Sequence, residues 1–489
     1  MHSFINSNKS AGSRAIKKCF QIINQPTAEF SARCGGKNMS VDKITSKLKK
    51  ASDQGIAKQR IFELLDEQSF VEIGAFDKNR NDLAEAVCGF GTMDGRGVYV
   101  FSQNPEAMGG AMSRAQAEKI LKIYDLAAKN GKPIIGIYDS KGGYVDDGAD
   151  ALHSFSKLIN AASLLSGVVP QIAVVLGNCT GENAVLCSQF DITVMEKNAT
   201  LSLNPASLYK NGQDVGRAET AAKNGTAHIV AEKDDIAETV RSILSVVPSN
   251  NLAPLNAYEG GEPTVCPVIN AEFLDAQDKI HLSDDFGKSA ETLLGRINGK
   301  PCGAVLTKDQ KLDADSIVKI SRFVRFCDCF SLPVVSIIDA DGLEIDKNTE
   351  AAVGARLLAQ LCSVYCEATT PKIAVISGRA CGGIYSAFAA KGASADIVFA
   401  FPEAVISPLS PEGAAIVLYD DRLKNGESLE TLSKEYVESS ASVVYAAEKG
   451  LVDDIFSKSE VRQKLSTAID MLDAKRETRP AKKHTDFPF

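Results

Sequence analysis

Two pairs of glycine-containing loops are the parts of this sequence best suited to chemistry. The first pair contains Lys141-Gly142-Gly143 and Gly181-Glu182, and the second contains Gly342 and Gly382-Gly383-Ile384. Glycine allows close approach to the backbone, and the first N–H groups of a following helix have no partner within that helix. Two such groups that converge form an oxyanion hole, which stabilises negative charge developing on an oxygen atom. The alternative is that these glycines only permit tight strand-to-helix turns.

The two pairs of loops occupy matching places in a repeated sequence. The segment at 132–139 (KPIIGIYD) recurs at 332–339 (LPVVSIID), and the segment at 170–177 (PQIAVVLG) recurs at 371–378 (PKIAVISG). Each has the length and apolar content of a buried strand. The repetition favours a functional role for the loops over the turn-only alternative, and it indicates one fold made twice.

Each copy is predicted to begin with a β-hairpin and to continue with alternating helices and strands. Asp94-Gly95 and Asn298-Gly299 stand between apolar runs, which is a strong signal for a type I′ hairpin turn. Helical patterns follow at 115–128 and 317–329, and again between the repeated strands at 149–166 and 349–367. Strands connected by helices are expected to be parallel. The predicted fold class is therefore α/β with two tandem domains, whose loops at the carboxyl ends of strands suit a functional site.

Composition bounds the functional classes that fit. The chain has 489 residues, enough for two or more domains, and a net charge of −8, which argues against a nucleic-acid surface. No stretch approaches the roughly 18 apolar residues of a membrane span. The 12 cysteines form no CxxC pair and are predicted to be mostly small buried hydrophobes in a reducing compartment. The 5 histidines stand in no metal or triad motif.

Residues 1–38 differ from the rest because they are basic and contain a single acidic residue, Glu29. One interpretation is an organellar transit peptide. The interpretation that we favour, because the helical apolar pattern is weak, is an upstream start or a disordered extension before Met39. We therefore predict an extension at 1–38, a first domain at 39–255 and a second domain at 256–489.

Several short motifs, in combination and in order, are similar to those of one enzyme family. They include FVEIG at 70–74, GGAM at 109–112, SGVVPQ at 166–171, EATTPK at 367–372, GGIY at 382–385, GLVDD at 450–454 and RPAKKH at 479–484. Over about residues 40–489 the chain resembles the carboxyltransferase subunits of biotin-dependent acyl-CoA carboxylases and decarboxylases, of the propionyl-CoA carboxylase beta and methylmalonyl-CoA decarboxylase alpha type. The resemblance implies two crotonase-like domains, each a ββα spiral, with acyl-CoA held by the first and biotin by the second.

The activity implied by this resemblance is transfer of a carboxyl group between carboxybiotin and the α-carbon of an acyl-CoA, of propionyl/methylmalonyl or acetyl/malonyl type. The family chemistry passes through an enolate held by backbone oxyanion holes and needs no side-chain base. The resemblance assigns catalytic roles to Gly181, Glu182, Gly383 and Ile384, acyl-CoA binding to Lys141, Gly142 and Gly143, and biotin binding to Gly342, Gly382 and Gly383.

The resemblance also implies cofactors and partners. Biotin is expected on a separate carrier, because the sequence has no Met-Lys-Met biotinylation motif, the substrate is a coenzyme A thioester, and no metal is required. Expected partners are a biotin carboxyl carrier protein, a biotin carboxylase or a membrane decarboxylase subunit, and further copies of the chain in a hexameric trimer of dimers. The expected location is the cytoplasm, with membrane association through a complex, or the mitochondrion if residues 1–38 are a transit peptide.

One position departs from the family pattern in the first half. Family members usually have two adjacent glycines where this chain has Gly181-Glu182, and a carboxylate beside a developing oxyanion would oppose its formation. Lys141 is a candidate to neutralise Glu182 or to contact a CoA phosphate, and the alternative is a solvated loop lysine. Two other functions stay open: a non-catalytic structural subunit paired with an active homologue, and another crotonase-type acyl-CoA enzyme.

Overall fold

The computed structural model describes residues 46, 55–79, 82–210, 214–257, 272–277, 279–344 and 353–486, with the backbone alone described at 82–83. The predicted extension at 1–38 lies outside these residues. Residues Gln54–Phe489 form one compact unit, whose described residues contain two eight-stranded β-sheets and two small two-stranded sheets.

The first half of this unit is built on one sheet with helices between its later strands. Its strands are β1 (Val71–Glu72), β2 (Lys78–Asn79), β3 (Asp82–Leu83), β4 (Ala86–Met93), β5 (Arg96–Gln103), β6 (Ile134–Ser140), β7 (Gln171–Thr180), β8 (Ile192–Glu196), β9 (Thr200–Ser202) and β10 (Ile229–Ala231). Its helices are α1 (Gly55–Leu64), α2 (Arg114–Asn130), α3 (Ala149–Leu165), α4 (Glu182–Ser188), α5 (Ala218–Lys223) and α6 (Ile236–Val246).

The second half repeats this plan and adds helices near its end. Its strands are β11 (Ile280–Leu282), β12 (Ala290–Ile297), β13 (Lys300–Thr307), β14 (Lys311–Leu312), β15 (Val334–Ala340), β16 (Gly342–Leu343), β17 (Lys372–Cys381), β18 (Ile397–Ala400), β19 (Val405–Ser407) and β20 (Asp454–Ile455). Its helices are α7 (Ala314–Cys329), α8 (Ala355–Glu367), α9 (Gly383–Phe388), α10 (Pro411–Leu418), α11 (Asp420–Lys424), α12 (Leu429–Tyr436), α13 (Val443–Glu448) and α14 (Val461–Leu472).

The two sheets have the same strand order. The first runs β1-β4-β5-β6-β7-β8-β10 with β9 beside β7, and the second runs β11-β12-β13-β15-β17-β18-β20 with β19 beside β17. The hairpins β4–β5 and β12–β13 are antiparallel, and the strands that follow are parallel. Every residue of β6 is buried, as expected for a central parallel strand covered on both faces. The predicted duplication, hairpins and parallel strands are confirmed.

An aspartate carboxylate holds the hairpin turn of each half in the same way. Asp66 accepts hydrogen bonds from the N–H groups of Asp94 and Gly95, and it pairs with Arg241 of α6 at 2.9 Å. The turn residues Asp94 and Gly95 both have positive φ, as a type I′ turn requires. In the second half Asp275 accepts from the N–H groups of Asn298 and Gly299, and it pairs with Arg462 of α14 at 2.6 Å. Each turn is thus tied to a helix that comes late in its own half.

One apolar core joins the two halves. It contains Val240 and Leu244 of α6 together with Ile280, Leu294 and Val305 of the second sheet. The cysteine prediction is confirmed for the residues that the structure describes as buried, which are Cys88, Cys179, Cys187, Cys302, Cys327 and Cys381. It is wrong for Cys329 and Cys366, which are exposed, whereas Cys362 is partly buried.

Candidate functional site

An aspartate and a glycine at the ends of neighbouring strands determine how the repeated segments lead into the loops. Asp139, near the end of β6, accepts a hydrogen bond from the N–H of Asn178 at 3.1 Å, and a Cβ at Gly177 would overlap its carboxylate. Asp339 of β15 accepts from the N–H of Arg379 at 2.8 Å, and Gly378 lies against it in the same way. The repeated Asp and Gly are therefore in contact with each other. In each half this contact holds the last part of the longer strand, β7 or β17, where it leads into the following loop.

The two loops of the first half meet at the carboxyl edge of its sheet. Gly142 has φ +113° and Gly181 has φ +69°, conformations that L side chains rarely adopt. A Cβ at Gly181 would lie 3.9 Å from the Gly142 Cα, which places the loops in van der Waals contact. The structure thus brings together the predicted residues at 142 and 181, and Glu182 follows as the first residue of α4.

Backbone pairing in the first half determines which N–H groups face the site. The N–H of Gly181 donates to the Ser202 carbonyl at 3.0 Å, and the N–H of Gly142 donates to the Ser140 hydroxyl at 3.2 Å. Gly143 lies opposite Met112 in a parallel β-bridge. The hydrogen bonds of this bridge use the carbonyl of Gly142 and the N–H of Tyr144, so the N–H of Gly143 takes no part in it. The donors available for an oxyanion are therefore those of Gly143 and of Glu182 at the start of α4. Gly181 and Gly142 contribute the positive-φ backbone conformations of the two loops.

The second half has the same arrangement around a cavity of about 630 Å³. The N–H of Gly382 donates to the Ser407 carbonyl at 2.9 Å, as Gly181 does to Ser202. Gly383 opens helix α9, and a Cβ there would lie 2.7 Å from a methyl group of Leu358, so only glycine fits without movement. The predicted residues Gly342, Gly382, Gly383 and Ile384 all line this cavity. Leu343 lines it too and corresponds to Gly143, a match that the sequence interpretation missed.

The charged groups beside the second-half cavity are paired with each other. Arg379 makes hydrogen bonds of 2.9 and 3.0 Å to the two carboxylate oxygens of Glu412 and one of 3.0 Å to Asp341. Lys311 pairs with Asp341 at 3.0 Å. Burial acts to raise the pKa of Glu412, but the hydrogen bonds from Arg379 outweigh it and hold that pKa below the ordinary value. Asp341 and Glu412 are thus paired with cations, whereas the carboxylate of Glu344, which also lines the cavity, has no ion-pair or hydrogen-bond partner among the described residues.

The first-half site lacks this neutralisation. Among the described residues, the Glu182 carboxylate has no ion-pair or hydrogen-bond partner. Lys141 is exposed, its N–H donates to the Gly109 carbonyl, and its methylene groups pack against Gly109. The structure therefore does not pair Lys141 with Glu182, and no cation among the described residues contacts the Glu182 carboxylate.

The described residues were also compared with the requirements of a metal site and of a membrane-spanning helix. Within the described ranges, no group of three or more His, Cys, Asp or Glu side chains is arranged to hold a metal ion. No helix among the described residues has both the length and the apolar character needed to cross a bilayer.

Two matched sheets, each leading through a glycine loop into a short helix, define a fold that the chain forms twice. Comparison with known proteins agrees. The carboxyl transferase domain family matches residues 49–487. The chain is 33% identical to the methylmalonyl-CoA carboxyltransferase 12S subunit of Propionibacterium freudenreichii subsp. shermanii, over 93% of this chain and 94% of that protein. It is 32% identical to the methylmalonyl-CoA decarboxylase subunit alpha of Veillonella parvula, over 97% and 99%.

Solved structures give the same result. The crystal structure of transcarboxylase 12S with hydrolysed methylmalonyl-coenzyme A bound superimposes with a TM-score of 0.84 at 30% identity, covering 93% of this chain and all of that one. The chain therefore belongs to the carboxyl transferase domain family. The predictions of family, of enzyme class and of a fold with two tandem crotonase-like domains are confirmed.

Proposed function

We propose that this protein moves a carboxyl group between biotin and the α-carbon of an acyl-CoA, of propionyl/methylmalonyl or acetyl/malonyl type. The observation that carries the proposal is the second-half cavity, where the N–H of Gly383 opens α9 directly after Gly382 and where Asp341 is paired with Arg379. A ureido carbonyl is neutral and accepts hydrogen bonds, so it fits such a cavity. Bound biotin would supply the nitrogen atom that carries or accepts the carboxyl group.

The chain's own residues have two tasks in this chemistry. In the second half, the N–H groups of Gly383 and Leu343 would hold a carbonyl oxygen as negative charge develops on it. In the first half, those of Gly143 and Glu182 would hold the thioester oxygen as an enolate forms, when the α-carbon gives its proton to the ureido nitrogen of biotin or, in the reverse direction, releases its carboxyl group as carbon dioxide. Donors fixed in advance at both oxygens lower the barrier without a side-chain base, and loss of one donor typically costs about 2.7–4 kcal/mol.

Partners follow from the same proposal. The relative of known structure is described as a hexamer, and this chain exposes apolar side chains beside both of its sites. Beside the first-half loops these are Val145, Leu203 and Leu208, and beside the second-half cavity Leu409, Ile416, Val417 and Leu418. We infer that copies of the chain assemble as a trimer of dimers in which these surfaces meet. Biotin would then arrive on a separate carrier protein, which a biotin carboxylase would carboxylate or a membrane decarboxylase subunit would decarboxylate. The predicted location is cytoplasmic, with membrane association through a complex, or mitochondrial if residues 1–38 are a transit peptide.

The test is decarboxylation of malonyl-CoA and methylmalonyl-CoA with and without free biotin. Carbon dioxide release that depends on biotin supports the proposal. In Gly383→Val the added side chain would strike Leu358 and fill the cavity, so we expect turnover to fall about 100-fold. Ser386→Ala, an exposed change on the same helix, is the matched control and should retain activity.

A non-catalytic structural subunit is the second candidate, and the uncompensated charge of Glu182 is the observation that favours it. The two candidates differ in a direct measurement. A structural subunit would show no heat of binding with CoA thioesters in calorimetry and no turnover on either substrate, whereas the enzyme would bind them. Binding without any biotin-dependent turnover would point to a third class, another acyl-CoA enzyme of the crotonase type.

A further inference from the structure

A chain of buried polar side chains lies directly behind the loops of the first half. It consists of Gln116 on α2, Gln103 on β5, Asn183 on α4 and Ser140 on β6, each with no exposed surface. Buried amides are costly unless every polar atom has a partner, and a fully bonded network is rigid. These residues come from four different elements, so the network ties the helices α2 and α4 to the neighbouring strands β5 and β6.

The direction of each hydrogen bond follows from fixed backbone groups at both ends. The N–H of Asp139 donates to Gln103 Oε1 at 3.2 Å, so Gln103 Nε2 must be the donor towards Asn183 Oδ1 at 3.0 Å and Gln116 Oε1 at 3.1 Å. At the far end, Gln116 Nε2 donates to the Glu85 carbonyl at 3.1 Å, which confirms its orientation. Asn183 Nδ2 is therefore the donor to Ser140 Oγ at 2.9 Å.

Ser140 connects this network to the loop at 141–143 by hydrogen bonds. Its Oγ accepts the N–H of Gly142 at 3.2 Å and lies 3.3 Å from the carbonyl oxygen of the same residue, to which it donates. Asn183 belongs to the first turn of α4, immediately after Glu182. The Asn183–Ser140 hydrogen bond thus joins the loop that carries the Gly143 N–H to the helix start that carries the Glu182 N–H.

The second half is built differently at the same places. Ala340 stands where the first half has Ser140 and Ile384 where it has Asn183, and both are buried and apolar. Thr307 takes the place of Gln103, with its Oγ1 accepting the N–H of Asp339 at 2.7 Å. There the start of α9 is held by apolar packing of Leu358 against Gly383 instead. The two halves therefore position their donors by different means.

We propose that Asn183 and Ser140 are positioning residues that set the separation of the Gly143 and Glu182 N–H groups, and so tune the acyl-CoA half independently of the biotin half. This inference rests on the proposed function, because it assigns those two groups to the thioester oxygen. The residues act through the backbone and do not touch the substrate. Without their hydrogen bond, the loop at 141–143 and α4 would move apart, and misplacement by about 1 Å can cost on the order of 100-fold in rate.

The kinetic test uses Asn183→Leu, which keeps the shape of the side chain and removes its hydrogen bonds, Ser140→Ala, and the double variant. Each single variant is expected to lower kcat for the acyl-CoA about 100-fold while KM changes less than about 3-fold. The double variant should be no worse than the more impaired single variant, because the two residues form one unit. Thr307→Val is the matched change in the second half. Combined with each first-half variant, it should not change the factor by which that variant slows the release of carbon dioxide from the acyl-CoA. Additive losses, or parallel changes in kcat and KM, would overturn the proposal.

Hydrogen exchange gives a readout that does not depend on turnover. In Asn183→Leu, amides of 140–144 and 181–186 should exchange about tenfold faster, the effect expected for roughly one lost hydrogen bond, whereas those of 340–344 should not change. Unchanged exchange at 140–144 would contradict the positioning role. If the wild-type protein turns over no CoA thioester, the proposed function fails, and the exchange result still decides whether Asn183 and Ser140 order the two loops.

Discussion

At the scale of single residues, Glu182 is the clearest difference between the two sites. It follows Gly181 at the start of α4, where the second half has Gly383, and its carboxylate has no partner among the described residues. A carboxylate about 5 Å from a developing oxyanion would cost roughly 3 kcal/mol at an effective dielectric of 20, and solvent screening reduces that cost. Under the proposed mechanism, the first half therefore carries a carboxylate that would oppose the negative charge developing on the thioester oxygen.

Neutralising this residue should raise activity. Glu182→Gln keeps the backbone N–H and removes the charge, so kcat for the acyl-CoA should rise about tenfold with the fold unchanged. Glu219→Gln, an exposed change in the first turn of α5, is the control and should have no effect. Steady-state kinetics of both variants check this, and a large loss in Glu182→Gln would instead make Glu182 a participant in the reaction.

The strand-end glycines provide a second residue-scale prediction. In Gly378→Ala the new methyl group would overlap the Asp339 carboxylate, which accepts the Arg379 N–H. Overpacking of this kind typically destabilises a fold by about 1–3 kcal/mol. Gly143→Ala is the control for stability, because its Cβ would lie 3.4 Å from Phe155 and 3.7 Å from Ala151, without overlap. Urea unfolding of the two variants should separate them, and equal stability would contradict the steric role of Gly378.

At the scale of elements, the two hairpin turns are held by long-range contacts that match between the halves. Asp66 and Asp275 precede their hairpins in the chain, and the arginines that pair with them come from α6 and α14. Burial acts to raise the pKa of Asp66, but hydrogen bonds from Gly95, Thr92, Arg241 and Asp94 hold that pKa well below its ordinary value.

This shift predicts the pH dependence of stability. Because the folded-state pKa of Asp66 is depressed, its stabilising effect is present above the unfolded value of about 3.8 and is lost as the pH falls below it. Asp66→Asn should lower the free energy of unfolding at pH 6 by about 1 kcal/mol, and the difference from wild type should shrink at pH 3. Urea titrations at both values check this, and a difference independent of pH would contradict it.

Elements also show what the sequence could and could not predict. The hairpin turns were predictable because Asp94-Gly95 and Asn298-Gly299 are local signals, and both occur with the positive φ they require. Gly142, Gly181, Gly382 and Gly383 were found because the repeat aligns them. The Asn183–Ser140 hydrogen bond and the role of Leu343 were not found, because they depend on distant residues meeting in space and the family pattern emphasises glycine. For Lys141 the sequence leaves open a pairing with Glu182, a contact with a CoA phosphate or a solvated loop position, and the structure shows it exposed with its methylene groups against Gly109.

At the scale of the whole molecule, the two halves share buried polar contacts as well as an apolar core. His228 lies at their junction, where its Nδ1 accepts the N–H of Thr193 at 3.0 Å and its carbonyl accepts the N–H of Ser283. A small cavity of about 140 Å³ beside it is lined also by Asp191, Lys319 and Arg322. Burial, together with the positive charge of Arg322, lowers the pKa of His228 to about 3.

Acid should therefore weaken the junction through His228. A histidine whose folded-state pKa lies below its unfolded value contributes stability that is present above about pH 6.5 and is lost as the pH falls towards 3. From pH 7 to pH 5 the wild type should lose about 2 kcal/mol more than His228→Asn, which keeps an acceptor for Thr193. Burial raises the pKa of Asp191 to about 7, with the opposite pH dependence, but that contribution is common to both proteins. Parallel pH profiles of unfolding would contradict this role.

The function as a whole requires both halves to act on one carboxyl group. The most direct measurement incubates the protein with methylmalonyl-CoA labelled in its free carboxyl group, together with a biotinylated carrier protein, and follows the label. We predict that the label appears on the carrier, that Gly383→Val abolishes the transfer and that Ser386→Ala preserves it. Label that stays on the CoA ester, or that leaves it without any dependence on the biotinylated carrier, would contradict carboxyl transfer by this protein.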